Sequence, residues 1–169
     1  MPISSIQIST SFLFSVLILS ASALAAEDWK GQSPDHDFQL GGLVGLGVID
    51  SSGGAAVLGT LAKRIAPHGF IPEINNVAWI EAEVGPLFTS GTAAFFYSTH
   101  VRLDFIKDET WTYYFLGGLG GNIQSSKLGG HFELYPRFGM GALWDVGAPF
   151  KIRAEVSHEL IAVGVTFSF

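Results

Sequence analysis

From Ala93 to Phe105 the sequence alternates almost without a break, and this pattern constrains the fold more than any other feature of the chain. Ala93, Phe95, Tyr97, Thr99, Val101, Leu103 and Phe105 share one parity; Ala94, Phe96, Ser98, His100, Arg102 and Asp104 share the other. A β-strand sends successive side chains to opposite faces, so one face here is apolar and the other carries a histidine, an arginine and an aspartate. A helix would mix the two sets. The same alternation recurs down to Gly164-Val165-Thr166-Phe167-Ser168-Phe169, an aromatic C-terminus. Long strands of this kind, repeated, predict a transmembrane β-barrel with the apolar face turned to lipid.

Composition narrows the choice. The chain has 169 residues, room for one domain. Apolar residues make up 48%, yet no run of about 18 of them follows the N-terminal segment, which excludes a bundle of membrane helices. Charged residues are only 14%, where roughly a quarter is usual for a soluble domain. The absence of cysteine rules out a disulfide framework, a thiolate metal site and a lipid-modified N-terminal cysteine. A net charge of −6 argues against nucleic acid as a partner.

The first residues read as an export signal. Phe12 to Leu19 is a short apolar core, and Ala23-Leu24-Ala25 supplies small residues at the positions a signal peptidase reads. Cleavage is expected after Ala25, or else after Ala23 or Ala26. The segment before the core lacks Lys and Arg, a departure from the usual pattern. The domain plan is therefore a signal peptide over 1–25, an irregular lead-in over 26–37 and a barrel over 38–169.

Eight segments of the barrel are near the 9–11 residues that a tilted membrane strand needs. They are Phe38–Ile49, Ala55–Ala66, Ile74–Val84, Ala93–Phe105, Trp111 to about Gly120, His131–Trp144, Phe150 to about Ser157 and Ile161–Phe169. Turn signals separate them: Asp50 to Gly54, Pro67 to Pro72, Gly85-Pro86 to Gly91, Lys107 to Thr110, and Asp145 to Pro149. Asn122 to Gly130 reads as the longest loop. The second segment is the least regular, because adjacent Lys63 and Arg64 require one cation to face outward and snorkel at the membrane edge. Pro136 costs a ladder hydrogen bond and predicts a local bulge.

With the mature N-terminus in the periplasm, Phe105, Trp111, Trp144, Phe150 and Phe169 all fall at the periplasmic ends of strands. Membrane barrels carry aromatic girdles at that interface, and nothing in the strand count forces the clustering. The inward parity collects Glu81, Glu83, Asp104, Glu133 and Glu155 as acids, against Arg102, Arg137, Lys151 and Arg153 with His100 available. An eight-stranded barrel is just wide enough for side chains to fill, and charges there must be paired. The near balance predicts a salt-bridged interior and not a pore, which would favour one sign. Inward glycines at 41, 45, 47, 118 and 139 are expected to leave room for long side chains. No spacing around His100 or His131 forms a metal-ligand cluster, and no cofactor or catalytic set is expected.

The signal peptide, the eight alternating segments, the short periplasmic turns and the terminal Val165-Thr166-Phe167-Ser168-Phe169 resemble the small outer-membrane β-barrel superfamily, the OmpA/OmpX-like proteins of Gram-negative bacteria. The resemblance covers Phe38 to Phe169. It implies an all-β, eight-stranded antiparallel up-and-down barrel in the outer membrane, in contact with lipid and lipopolysaccharide. It further implies that Phe169 is read by the barrel assembly machinery. The fold hosts adhesins, anchors and enzymes, so function has to come from the site. A non-enzymatic structural or surface-interaction role is the expectation, with the 122–130 loop as the candidate partner surface. Lipid A deacylases carry a His and a Ser two residues apart; here Ser157-His158-Glu159 has the wrong order, and Ser98 and His100 are reversed and inward. A small-solute channel and a soluble lipocalin-like carrier, the latter with its apolar face inside, compete less well with the same pattern.

Overall fold

A computed structural model of the chain describes residues 35–49, 52–71, 73–89, 93–124 and 131–169. The expected signal peptide and most of the lead-in lie outside the described residues, as does 125–130 of the candidate partner loop. Eight strands are present: β1 (Phe38–Ile49), β2 (Ser52–Ala66), β3 (Asn76–Thr89), β4 (Ala93–Ile106), β5 (Trp111–Gln124), β6 (His131–Asp145), β7 (Phe150–Ser157) and β8 (Leu160–Ser168). Each pairs antiparallel with the next, and β1 pairs with β8, closing the barrel. Phe38 and Phe169 seal the seam by exchanging backbone hydrogen bonds of 3.0 Å. Closure gives every strand a ladder partner on both sides, although β6 meets β7 only from Gly139 to Asp145; a closed ladder is what hydrocarbon demands.

The parity read from sequence is the parity of the wall. Trp79, Glu81, Glu83, Ser98, His100, Arg102, Asp104, Arg137, Arg153 and Glu155 are all buried inside. Leu46, Phe132, Phe138 and Ile161 are each more than 60% exposed on the outside. Among the described residues Lys63 is the one charged side chain on the outward face of the strands, and its ammonium lies 5.8 Å from the Phe38 ring at the seam end. Arg64, its neighbour, turns in and binds Asp37. A soluble carrier with an apolar lumen would invert this arrangement.

β2 begins at Ser52 and not at Ala55, because Ser52, Gly53 and Gly54 pair with Ile49, Val48 and Gly47 instead of forming the expected turn, and β3 begins at Asn76 and not at Ile74. Three further differences have physical reasons. β3 runs through Gly85-Pro86 to Thr89 instead of turning there. Gly85 is needed because a Cβ would sit 2.0 Å from the Val57 carbonyl oxygen; the glycine marks close strand approach, not a turn. β5 continues through Gly121 to Gln124, so Asn122, Ile123 and Gln124 belong to a strand and the loop is shorter than expected. There the outward Tyr97 lies across Gly121, and its hydroxyl donates to the Glu133 carbonyl at 2.8 Å. No bulge occurs at Pro136: the β5–β6 register is continuous from Trp111↔Trp144 to Gln124↔His131. The register shift falls instead between Arg64 and Ala66, opposite Trp79 and Ala78. The inward glycines also serve a different purpose from the one expected. Cβ atoms at Gly45 and Gly118 would meet the carbonyl oxygens of Ile161 at 2.2 Å and Thr99 at 2.4 Å, so these residues permit a tightly curved wall.

The interior has two zones. Toward the end that carries both barrel termini it is charged and aromatic. Toward the other end Leu43, Leu58, Leu87, Phe96, Leu160 and neighbouring alanines form an apolar cluster. Parity alone does not reveal this division, because depth along the axis depends on register.

Candidate functional site

Three arginines, one each from β4, β6 and β7, organise the lumen. Each is fully buried. A guanidinium presents five donors in a planar fork, which suits a buried position surrounded by carboxylates. Arg102 forks onto Asp104 at 2.8 and 3.0 Å, binds Glu81, and donates to Gln39 at 2.5 Å. Its guanidinium lies between Trp79 and Tyr114, 5.6 and 5.4 Å from the ring centroids. Arg137 reaches Glu83 and Glu155 at 2.6 Å each, the Ser98 hydroxyl at 2.6 Å and, through Nε, Glu159 at 2.6 Å. Arg153 touches Glu81 at 2.6 Å, Glu83 at 2.9 Å and Glu155, while its Nε donates to the Tyr114 hydroxyl at 2.9 Å. That hydroxyl in turn donates to Glu155 at 2.9 Å.

Of the ten interior charges read from sequence, eight meet in this network: Glu81, Glu83, His100, Arg102, Asp104, Arg137, Arg153 and Glu155. Glu133 and Lys151 lie apart from it. Glu133 accepts from Asn122 at 2.8 Å near one mouth, and Lys151 pairs with Asp145 at 3.5 Å near the other. Glu159 joins the network although it sits in the β7–β8 turn and carries no strand parity. It folds in, is 8% exposed, and bridges Arg137 and the Nδ1 of His158 at 2.8 Å. Only its position shortly after the last inward acid of β7 hinted at this.

Glu81, Glu83 and His100 bring one ligand atom each within 4.8 Å of one another, the spacing of a cation site. Guanidinium nitrogens already occupy both carboxylates, however. The arrangement compensates its acids with arginine, and a divalent cation there would face the guanidinium of Arg153. His100 itself lies 3.6 Å from Glu81 through Nε2.

The seam-end mouth is capped. The His36 ring stacks on Trp79 at 5.6 Å and 20°, and its Nε2 lies 3.2 Å from Gln39 Nε2. Burial of the imidazole, reinforced by the positive charges of Lys151 and Arg64, pushes its pKa below the usual 6.5. In the β4–β5 turn, desolvation favours the neutral acid at Asp108. The backbone N–H groups of Thr110 and Trp111 outweigh it, donating at 2.9 and 2.7 Å and holding this carboxyl below the ordinary range.

The five expected interface aromatics all lie at the seam end. Trp111 stacks on Trp144 at 5.7 Å, Phe105 meets Phe115 edge-on at 5.9 Å, Phe150 packs on Phe167 at 5.9 Å, and Phe169 stacks on Phe38 at 6.3 Å. At the other end, the Ser157 hydroxyl donates to the Leu160 carbonyl at 3.5 Å and the Nδ1 of His158 is taken by Glu159.

A closed antiparallel wall of eight strands, apolar outside and filled with ion pairs inside, defines a small transmembrane β-barrel. Solved structures share that fold. The crystal structure of Ail, the attachment invasion locus protein of Yersinia pestis, is similar with a TM-score of 0.58 and 14% identity, covering 82% of this chain and 100% of Ail. Neisserial surface protein A is similar with a TM-score of 0.52 and 13% identity, covering 82% and 99%. A designed transmembrane β-barrel matches with a TM-score of 0.56 and 14% identity, covering 82% and 100%. No protein-family model matches the chain, and neither does any curated protein.

Proposed function

We propose that this chain is an integral protein of the bacterial outer membrane, exported by a cleaved signal peptide, with a structural or surface-interaction role and a lumen that conducts no ions. One observation carries the reading: Lys63 alone among charged residues faces out from the described strands, whereas the arginines of the lumen sit fully buried among carboxylates. That is a wall built for lipid around a core built for rigidity. An apolar belt of this extent on a soluble monomer would be an aggregation surface. In this reading the seam-end aromatics supply the periplasmic girdle, and the β2–β3, β4–β5 and β6–β7 connections lie on that side.

The partners follow from the exterior. Outer-membrane lipid and lipopolysaccharide contact the belt. The Phe169 ring is 63% exposed at the wall surface, open to the barrel assembly machinery. The 122–130 region, whose described part ends β5 at Gln124, is the surface for an external partner; two proteins of the same fold are named for attachment and for the cell surface. The reading is non-enzymatic. Ser157 bonds a backbone carbonyl instead of an imidazole, and a Ser that is not aligned with a base is not activated.

Fractionation with the outer membrane, together with heat-modifiable migration in detergent gels, tests the location; recovery as a detergent-free soluble monomer overturns it. Planar bilayers test the lumen. Steady single-channel currents would refute the filled interior, and loss of an acyl chain from lipid A dependent on Ser157 or His158 would refute the non-enzymatic role.

A further inference from the structure

Lys63 stands apart from every other cation of the barrel. It is the one outward charge among the described strand residues, and its cross-strand partners are Phe38 on β1 and Ile80 on β3. The other cations at the seam end are paired. Arg64 binds Asp37, Lys107 lies 3.7 Å from Asp108, and Lys151 lies 3.5 Å from Asp145. Among the described residues no carboxylate pairs with Lys63. Its ammonium lies instead over the Phe38 ring at 5.8 Å, and that ring stacks on Phe169 of the girdle at 6.3 Å and 16°.

The surroundings decide what such an ammonium meets. Phe38, Ile65 and Ile80 around it, and Phe169 beyond Phe38, are exposed apolar side chains, so the wall itself supplies no anion. A charge on the lipid face is costly at the bilayer midplane and tolerated near the interface. A lysine at the girdle lays its apolar stem along the wall and sets its ammonium at headgroup level. The anion that abounds at that level is the phosphodiester of a phospholipid. A compact ammonium with three donors binds a phosphate as a point charge, without the fixed fork that a guanidinium brings. The Phe38 ring restricts where the flexible stem can hold that charge.

We propose that Lys63 forms an anion site on the barrel exterior, where its ammonium, steadied over the Phe38 ring, binds the phosphate of an anionic phospholipid in the leaflet at the seam end. The inference rests on the membrane reading above, in which that leaflet is the periplasmic one. A lipid is the occupant because the site is continuous with the apolar belt. Its acyl chains lie along the wall where Leu61 and Ile80 face out, while its headgroup stays at the girdle. An anionic headgroup is favoured over a zwitterionic one, since the cation of choline competes for the phosphate and is repelled by the ammonium.

The test uses the full chain in vesicles of phosphatidylcholine with a minor share of phosphatidylglycerol, the bromine being carried on the acyl chains of one lipid or the other. Ile80→Trp places an indole beside Lys63, and the emission it adds over the parent reports which lipid lies there. Ile65→Trp serves the same purpose if that variant does not fold. At matched brominated share, phosphatidylglycerol should occupy the site about fivefold more readily than phosphatidylcholine, the preference that one lysine near an anionic lipid surface supports. Lys63→Gln should abolish this preference, Lys63→Arg should keep it, and Lys107→Gln, at a cation already paired with Asp108, should leave it unchanged. Equal quenching by the two lipids overturns the site, as does a preference that survives Lys63→Gln. Quenching by neither lipid would sink the membrane reading itself. Inorganic phosphate in the buffer should leave the preference in place; if it erased it, the site would take a free anion and the lipid assignment would fall.

Discussion

Arg137→Met tests the interior most sharply, because Arg137 touches three acids and only one of them depends chiefly on it. Its guanidinium makes four polar contacts at 2.6 Å, to Glu83, Glu155, Glu159 and Ser98. Hydrogen bonds to charged groups are worth about 1.5–3 kcal/mol each. Simple addition over the three carboxylates would give about 5–9 kcal/mol, but that overcounts. Arg153 still neutralises Glu83 and Glu155 when Arg137 is gone. Glu159 is then left with His158 alone. The expected loss is therefore that of breaking one buried pair, about 3–5 kcal/mol.

Methionine keeps most of the stem and limits the cavity, but it loses the guanidinium that lies 5.1 Å from the Phe96 ring centroid, a cation–π contact that adds to the cost. The assay is urea unfolding in lipid vesicles followed by tryptophan emission, with heat-modifiable migration to show that the folded form was populated. The double variant Arg137→Met/Glu159→Gln should recover a large part of the loss, since it removes the acid stranded by the first change. A loss under about 1 kcal/mol for Arg137→Met would refute the premise that interior pairs hold this barrel together. So would a double variant no more stable than the single.

Val101→Arg, on the lipid face opposite Ile80 and Gly117, should destabilise by about 2–4 kcal/mol in the same unfolding assay, whereas Thr99→Ala on that face should be mild; equal effects would mean the faces are misassigned. Ser98→Ala, on the inner face, should cost about 1–3 kcal/mol because its hydroxyl accepts from buried Arg137, and a neutral result would put that contact in doubt. Gly45→Leu should abolish the heat-modifiable form, since a Cβ there lies 2.2 Å from the Ile161 carbonyl oxygen and holds β1 off β8. The His36 cap should loosen in acid. Its folded pKa lies below 6.5, so the undocked segment binds the proton more readily, and docking strength is full above that pH and falls as pH drops through it. Acrylamide access to Trp79 should rise between about pH 7 and 5, and a flat profile would remove His36 from the cap.

The faces of this barrel were legible in the sequence because strand periodicity is a local property: whether residue 101 faces lipid depends only on its neighbours at 100 and 102. Strand ends were less legible, because a glycine means two things. At Gly85 and Gly121 it admits a neighbouring backbone or a tyrosine ring, yet in sequence it is indistinguishable from a turn residue. Partner choice was not legible at all. Arg137 and Glu83 are 54 residues apart and meet across the lumen. Parity shows that both point inward, but only the accumulated stagger of the strands between them brings them to the same depth.

That stagger also explains why charge balance by composition misjudged the interior. Lys151 and Glu133 have inward parity but lie near opposite mouths, where each finds a nearby partner and stays outside the network. Glu159 has no strand parity, yet enters because the β7–β8 hairpin is too short to carry its turn clear of the lumen. The short hairpin therefore has two consequences: it delivers a further buried acid to Arg137, and among the described residues it ends the β6–β7 ladder at Gly139, beyond which the His158 ring meets Tyr135 edge-on at 5.4 Å. Lengthening the hairpin by two residues on each strand should undo both at once. Glu159 would rise out of reach of Arg137, lowering stability in the urea assay, and the added pairs would extend the β6–β7 ladder beyond Gly139. If the lengthened hairpin unfolded at the same urea concentration as the parent, hairpin length would not be what delivers Glu159 to Arg137.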